Sequence, residues 1–198
     1  MAGNTGTKGV PREEREQQIL DVAVEEFGRR AYANASMTRI AEAAGISKPL
    51  IYSYFDSKDG LFLACLHRAG ANLVEQVEAA QTGPMLSRAL DTLAAIVRTL
   101  EPRRYDWAVL YDATLPEGTA VHDTAMQYRK KLAALGAAGV TELLAGKANP
   151  DDASLLTHLW LHSVSAAVGW WLEHPEETAE SITARVMRLA SLLAESAR

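Results

Sequence analysis

The sequence has 198 residues, 48% of them apolar and 23% charged, a composition typical of a globular protein and unlike that of a disordered one. A long uncharged stretch, from Leu155 to Leu172, contains histidines and serines and has helical periodicity, which favours a buried helix over a membrane span. The polar start lacks the apolar segment of a secretory leader, and the single Cys65 excludes an intramolecular disulfide, so we expect a soluble, cytoplasmic protein.

The net charge of −5 argues at first against a nucleic-acid partner, because binding to phosphates needs local positive charge. The charge is unevenly distributed, however. Residues 1–68 contain nine Lys or Arg and nine Asp or Glu, whereas residues 69–198 contain eleven and sixteen. The acidity therefore belongs to the second segment, and the two segments have different electrostatic characters.

The chain begins with a polar segment that we interpret as a flexible arm and continues with an amphipathic helix. In REEREQQILDVAVEEFGRRAY, the apolar residues Ile19, Ala23 and Phe27 recur every four residues with charges between them. The arm is predicted to span residues 1–11. An N-terminal domain is predicted at residues 12–56 and a C-terminal helical domain at residues 57–198.

Two short helices follow, each with a clear start. Ser36 is a good N-cap for MTRIAEAA, which Gly45 ends. Ser47 caps the next helix, and Pro49 falls in its first turn, where the missing N–H costs no hydrogen bond. The proline therefore begins this helix and does not break it.

The rest of the chain is also predicted to be helical. Ser57 caps a fourth helix that runs to the break at Thr82–Pro84, and prolines mark the later breaks. No convincing strand, internal repeat or low-complexity segment appears apart from the arm. We therefore predict an all-α protein of about nine helices, with an N-terminal three-helix domain and a C-terminal helical domain.

The segments MTRIAEAAG and ISKPLIYSYF have the proportions of a helix-turn-helix, whose second helix lies in the DNA major groove. Ile51 and Phe55 are four residues apart and should face inward, towards Ile40 and Ile46. The capped start of the second helix presents backbone N–H groups that favour a phosphate. The side chains that point elsewhere are free to read DNA: Ser47, Lys48, Pro49 and Tyr52.

The run IAEAAGISKPLIYSYFDSKDGLF closely resembles the DNA-binding domain of TetR-family transcriptional regulators. The shared pattern is an Ile-Ala pair, Ala-Gly-x-Ser, an aliphatic-Tyr pair, an aromatic-Phe end, and Ser-Lys opening the following helix. The resemblance covers roughly the first third of the chain, from Ile19 to Phe62. It implies an all-α homodimer that binds a palindromic operator and releases it when a small molecule enters the C-terminal domain.

The resemblance also implies particular DNA contacts. It places Tyr52 and Lys58 on phosphates, and Ser36 and Thr38 at the start of the helix that lies across the DNA backbone. Tyr54 has ordinary packing as its alternative, and Arg39 is divided between a phosphate contact and the surface. The predicted DNA-binding residues are Ser36, Thr38, Arg39, Ser47, Lys48, Pro49, Leu50, Tyr52, Tyr54 and Lys58.

The sequence departs from the family pattern at two places. After Lys48, where many relatives have glycine and a hydroxyl residue, it has Pro49 and Leu50, which can make only apolar contacts, for instance with a thymine methyl group. Ala31 replaces the usual glycine before Tyr32. If that position needs a positive φ, the alanine costs about 1 kcal/mol; otherwise the first helix ends differently here.

Nothing in the sequence indicates an enzyme, a cofactor or a metal site. His158 and His162 form an HxxxH pair, but no acidic residue stands between them and no third ligand is evident, which favours structural histidines. No nucleophile elbow, P-loop or dinucleotide fingerprint appears. The basic run Arg129, Lys130 and Lys131 is interpreted as a solvated helix face.

The middle helices concentrate aromatic and soft side chains that could line a largely apolar ligand pocket with a few polar groups. Plain core packing is the alternative for each of them. The predicted ligand-binding residues are Tyr105, Trp107, Tyr111, His122, Met126, Trp160 and Trp170.

The last helix carries an apolar seam at four-three-four spacing, which is typical of a helix that packs against partners. In the TetR family, which this sequence resembles, the last two helices pair with their copies as a four-helix bundle. This arrangement would put the two helix-turn-helix segments of the dimer roughly 34 Å apart. The predicted dimer-interface residues are Ile182, Val186, Leu189 and Leu193.

These observations together predict a dimeric, ligand-responsive repressor that binds double-stranded operator DNA and an unknown small-molecule effector. Two alternatives stay open. One is a helical ligand carrier or enzyme that merely retains the helix-turn-helix, and the other is an activator of the same fold, which would bind DNA alike.

Overall fold

A computed structural model describes residues 10–81, 85–144 and 149–196, and in these ranges the chain forms nine α-helices and no strand. The predicted all-α class and helix number are thus confirmed. A short 3-10 turn, Glu101–Arg103, precedes the sixth helix. The helices are α1 Arg12–Asn34, α2 Met37–Ala43, α3 Lys48–Phe55, α4 Lys58–Ala80, α5 Met85–Leu100, α6 Asp106–Leu110, α7 Ala120–Leu144, α8 Pro150–Glu173 and α9 Ala179–Ser196.

The helix α4 is the central element of the fold, because it packs against α1 and α3 near its start and against α5, α6 and α7 beyond. Every third or fourth residue of α4 is buried, from Leu61 to Val77. Phe62 meets the ring of Phe27 from α1 edge to face, with 4.8 Å between ring centroids. A continuous apolar core therefore runs from the first three helices into the rest of the chain.

Two glycines allow close approach between helices. An added Cβ at Gly70 of α4 would lie 2.4 Å from Cγ of Tyr128 in α7, and one at Gly28 of α1 would lie 2.5 Å from Cβ of Tyr105. Each tyrosine ring thus fills the space that a side chain would take. The first contact seats α7 on α4, and the second joins the segment before α6 to α1.

The helix α1 is interrupted at Ala31, which has φ 60° and ψ 162°. Ala31 therefore does adopt the positive φ considered from the sequence, in a region of backbone space that essentially only glycine occupies without strain. The break turns the last residues of α1 out of line, so that Tyr32 packs edge to face on Phe62 at 5.1 Å.

Candidate nucleic-acid interface and sensor site

The helix α3 begins as its sequence predicts. The Ser47 Oγ accepts a hydrogen bond from the Leu50 N–H at 3.4 Å, and Pro49 lies in the first turn. Ile51 is fully buried and Phe55 nearly so, which locks one side of the helix onto the core. Because only eight residues form α3, this packing and the cap hold it in place.

The other side of α3 is open. Ser47, Lys48 and Pro49 are exposed, and Leu50 and Tyr52 are half-buried. The Lys48 Nζ lies 5.9 Å from the centroid of the Tyr52 ring, which places a positive charge beside the phenol. These five predicted residues thus lie in the first turns of α3, outside its buried contact with the core.

The preceding helix, α2, is anchored to α1 through one carboxylate. Ser36 Oγ accepts from the Arg39 N–H at 3.4 Å, while Glu26 of α1 accepts from the Ser36 N–H at 2.9 Å and from Arg39 Nε at 2.7 Å. Burial raises the pKa of Glu26, but these hydrogen bonds outweigh it and hold the pKa below its usual range. Arg39 is therefore partly committed to α1, whereas Thr38 is exposed.

The ammonium group of Lys58, which is predicted to contact a DNA phosphate, already has partners within the protein. Its Nζ donates to the Ala35 carbonyl oxygen at 2.9 Å and lies 4.7 Å from the centroid of the Tyr32 ring. Burial lowers the pKa of this half-buried ammonium group. Lys58 thus ties the start of α4 to the loop before α2, and a role on DNA stays a prediction.

Tyr54 has a partner that sequence reasoning missed. The guanidinium carbon of Arg12, the first residue of α1, lies 4.8 Å from the centroid of the Tyr54 ring. Arg12 is exposed and sits where the polar arm meets the helix-turn-helix. The position of Arg12 at the end of the polar arm was the one available signal in the sequence, but the spacing of the residues does not predict that it lies beside α3.

The broken end of α1 is held by the segment that follows α6. The Tyr32 N–H donates to Asp112 Oδ2 at 2.5 Å, and the Ala33 N–H donates to Thr114 Oγ1 at 3.1 Å. Asp112 is buried and accepts twice more from Thr114. Since the break at Ala31 removes helical partners, these side chains satisfy N–H groups that would otherwise be left without partners.

Arg129 corrects the interpretation of the basic run as a solvated face. Its side chain turns inward from α7 and donates to the carbonyl oxygens of Leu110 at 2.7 Å and Asp112 at 2.8 Å. Lys130 and Lys131 are exposed, as expected. Arg129 therefore fixes the end of α6 and the loop that holds α1.

Three of the seven predicted ligand residues come together. Trp107 and Tyr111 stack, with 4.4 Å between ring centroids, and both line a small inner chamber of about 20 Å³ with Trp160. Trp160 also lines an outer chamber of about 240 Å³. Burial raises the pKa of Tyr111, although the guanidinium of Arg129 opposes this, so its hydroxyl stays neutral.

The other four predicted ligand residues lie apart from these chambers. Tyr105 packs on Gly28 and lines an open cleft against α1. Trp170 stacks on His174 at 3.7 Å and lines a groove between α8 and α9. His122 and Met126 occupy the first two turns of α7. The aromatic residues therefore form several groups and do not all surround one cavity.

The last two helices expose an apolar surface. Of the predicted interface residues, Ile182 is buried within the chain, Val186 is half-buried and Leu189 is 55% exposed. The side chain of Leu193 lies outside the described part of the structure. The exposed large apolar side chains, between 46% and 60% exposed, are Leu155 and Leu159 in α8 and Met187, Leu189 and Leu192 in α9.

The histidine pair of α8 is turned to its own backbone. The Nδ1 atoms of His158 and His162 lie 2.9 and 2.8 Å from the carbonyl oxygens of Ser154 and His158. Among the described residues, no group of three or more His, Cys, Asp or Glu side chains could hold a metal ion. Within the same residues, no helix is long and apolar enough to cross a membrane.

The comparisons with known proteins agree with the geometry of the helix-turn-helix. A family model described as bacterial regulatory proteins, tetR family, matches residues 19–65. A TetR-like transcriptional regulator from Rhodococcus sp. RHA1 superposes with a TM-score of 0.70 at 29% identity, over 92% of this chain and 96% of that one. The chain thus carries a TetR-family segment at residues 19–65 and shares the fold of a TetR-like regulator.

Two curated relatives match the N-terminal part. The transcriptional activator FasR of Mycolicibacterium smegmatis is 46% identical over 78 residues, which are 39% of this chain and 36% of FasR. The transcriptional repressor AcnR of Corynebacterium efficiens is 32% identical over 109 residues, 54% of this chain and 50% of AcnR. The matched segment thus spans half or less of each relative.

Two further solved structures share the fold at lower identity. AibR, solved with isovaleryl coenzyme A and operator DNA, has a TM-score of 0.69 at 20% identity over 87% of this chain and 96% of that one. FadR of Bacillus subtilis, solved with stearoyl-CoA, has a TM-score of 0.67 at 16% identity over 89% and 96%. Both likenesses show the fold alone.

Proposed function

We propose that this TetR-family protein is a cytoplasmic, ligand-responsive repressor that binds a palindromic operator as a homodimer and releases it when a small molecule binds. The observation that carries the proposal is the short capped helix α3, whose buried side is fixed by Ile51 and Phe55 while Ser47, Lys48 and Tyr52 face outward. A helix held in this way can enter the major groove without refolding.

The reading face can be tested with two substitutions. Replacing Tyr52 with Phe, or Lys48 with Ala, should weaken operator binding by about 1 to 3 kcal/mol, because each removes a polar or charged DNA contact. Lys131→Ala, an exposed lysine on α7, is the matched control and should not change the affinity. Operators selected from random DNA serve as the probe. If both variants bind the operator as tightly as the parent at the same salt concentration, α3 does not contact the DNA.

The homodimer is supported by the exposed leucines of α8 and α9, since monomeric proteins rarely leave such a surface open. Leu189→Asp should place an unpaired carboxylate in the interface, and sedimentation should then show monomers that no longer bind the operator. Because Leu189 is 55% exposed in the protomer, the variant should still fold. Lys130→Asp, which places a carboxylate at an exposed position of α7, is the control. If the Leu189→Asp variant remains a dimer, the interface lies elsewhere.

A small-molecule effector is supported by the two chambers and by the fold shared with FadR and AibR, whose structures contain acyl-coenzyme A molecules. Coupling between sites is reciprocal, so an effector that weakens DNA binding must itself bind the DNA complex more weakly. Trp107→Ala, in the inner chamber, should therefore impair the effector response more than DNA affinity without effector. Equal affinity of an effector for free and DNA-bound protein would contradict the sensor role.

Repression and activation require a separate test, because the matched relatives include an activator and a repressor. We expect a reporter gene behind the selected operator to be expressed less when the protein is present. Higher expression in the presence of the protein would favour the activator alternative, with the same DNA-binding residues.

A further inference from the structure

We propose that the outer chamber binds the apolar part of a small anionic molecule, such as a short or medium-length acyl group, and that Trp160 limits its length. The inference rests on the proposed sensor function and specifies the ligand class of that site. It concerns the space between α5, α7 and α8, near the C-terminal end of α4. The described lining consists of Gln81, Arg88, Ala89, Thr92, Gly136, Gly139, Val140, Leu156 and Trp160.

The size of the chamber bounds its occupant. Its volume is about 240 Å³, below the usual range of drug-sized pockets. At roughly 30 Å³ for each water-sized group, it holds roughly eight non-hydrogen atoms. Most of the described lining is apolar, so the buried part of the ligand is a hydrocarbon chain or ring of about that size.

Two glycines of α7 create this space. Gly136 and Gly139 lie three residues apart in the helix, on adjoining parts of the chamber wall. An added Cβ would lie 3.5 Å from Trp160 Cδ1 at position 136, and 3.5 Å from Gln81 Oε1 at position 139. A methyl group therefore fits at both positions. Since glycine weakens the interior of a helix and alanine would not clash, the room that the glycines leave is the feature that needs a function.

Trp160 divides the two chambers. It lines both of them, together with Thr92 and Gly136, while the inner chamber beyond has only about 20 Å³. By the same measure that space is smaller than one water-sized group, so it takes no further length of hydrocarbon. A chain that fills the outer chamber therefore ends at the indole, behind which lie Trp107 and Tyr111.

Arg88 supplies the charge that selects an anion. Its guanidinium forms an ion pair with Glu142, and the arginine side chain is 17% exposed whereas the glutamate is 52% exposed. An incoming carboxylate or phosphate can replace the exposed Glu142 side chain on Arg88, while the hydrocarbon enters the chamber beside it. Gln81 and Thr92, joined by a 2.9 Å hydrogen bond, add polar atoms for a carbonyl group.

Calorimetric titration of the full-length protein with a ligand series tests the proposal. The probes are hexanoate, octanoate, tetradecanoate, octan-1-ol and octanoyl-coenzyme A. Octanoate should bind about tenfold more tightly than octan-1-ol, which lacks the charge, and than tetradecanoate, which is too long. Binding that strengthens steadily with chain length would refute the limit at Trp160. If only octanoyl-coenzyme A binds, the anion is a coenzyme phosphate; if no probe binds, the ligand class is wrong.

Variants identify the residues responsible. Arg88→Gln should remove the preference for octanoate over octan-1-ol, whereas Glu142→Gln, which removes the competing carboxylate, should strengthen octanoate binding. Gly139→Ala should weaken octanoate binding while raising the melting temperature, a combination that loss of folding cannot produce. Trp160→Leu should shift the preference towards tetradecanoate. Unchanged binding in Gly139→Ala and Arg88→Gln would place the ligand outside this chamber.

Operator binding by the same preparations separates this inference from the proposed function. Parent protein that binds its operator and responds to another molecule, but to none of the probes, would overturn the ligand class alone. Parent protein that binds no selected DNA would overturn the proposed function, whatever the result of the titrations with acyl compounds.

Discussion

Ala31 occupies a backbone conformation that should make Ala31→Gly a stabilising substitution. Its φ of 60° and ψ of 162° fall in a region that costs a residue with a Cβ about 1 to 3 kcal/mol. Glycine relieves this strain but gains freedom in the unfolded chain, which costs about 0.4 to 1 kcal/mol. The net gain in the free energy of unfolding should be about 1 kcal/mol, or about 2 to 4 °C in melting temperature for a chain of this size.

Urea unfolding followed by circular dichroism, at one fixed protein concentration, measures the gain. The control is Ala33→Gly, two residues later, where the backbone is helical and glycine should cost about 0.4 to 1 kcal/mol through the greater freedom of the unfolded chain. Both residues keep their N–H groups, so the Ala33 hydrogen bond to Thr114 survives in either variant. If Ala31→Gly destabilises the protein as much as Ala33→Gly does, the strain argument is wrong.

Three other substitutions test local contacts. The folded pKa of Glu26 is lowered, so its stabilising contribution is complete above the unfolded pKa of about 4.3 and is lost as the pH falls through the folded value. Glu26→Gln should therefore flatten the acid side of a plot of the urea midpoint against pH. An unchanged slope in the variant would contradict this. Burial and the Asp59 hydrogen bond raise the pKa of Tyr32 to about 12, so its contribution is complete below about pH 10 and is lost as the pH rises towards 12. Tyr32→Phe should flatten that alkaline side, and a matching loss in both proteins would exclude Tyr32. Gly70→Ala should cost about 1 to 3 kcal/mol through the ring of Tyr128, and a cost that persists in a Tyr128→Ala background would refute this cause.

The helix-turn-helix could be predicted because its signals are local. Ser47 and Pro49 act within one turn of the helix they begin, and the burial of Ile51 and Phe55 follows from their spacing alone. The start of α4 at Ser57 has the same local origin. Contacts of this kind depend on a few neighbouring residues, so a linear sequence contains most of the information.

The contacts that the sequence did not reveal join distant segments. Arg129 lies in a basic run that the sequence predicts to be a solvated helix face. Its guanidinium nevertheless donates to carbonyl oxygens 19 and 17 residues earlier in the chain. Tyr105 lies close in sequence to Trp107, but the ring packs on Gly28 while Trp107 faces the inner chamber. Periodicity assigns a residue to a face of its own helix; it does not say which helix that face meets.

The position of α6 gives the chambers a second physical contact with the first helices, in addition to α4, which packs against both parts. Trp107 in α6 and Tyr111 at its end line the inner chamber, while the flanking residues Tyr105 and Asp112 contact α1 at Gly28 and Tyr32. Because α6 has only five residues, we expect a displacement of the aromatic pair to be passed on to these contacts.

Of these contacts, the one at Tyr32 lies closest to the helix-turn-helix. The Tyr32 hydroxyl donates to Asp59 at 2.5 Å, and Lys58, over the same ring, donates to the Ala35 carbonyl oxygen just before the cap of α2. A displacement of Asp112 therefore acts on the starts of both α2 and α4. Since α3 packs between these helices, these hydrogen bonds act on it together with the buried contacts of Ile51 and Phe55.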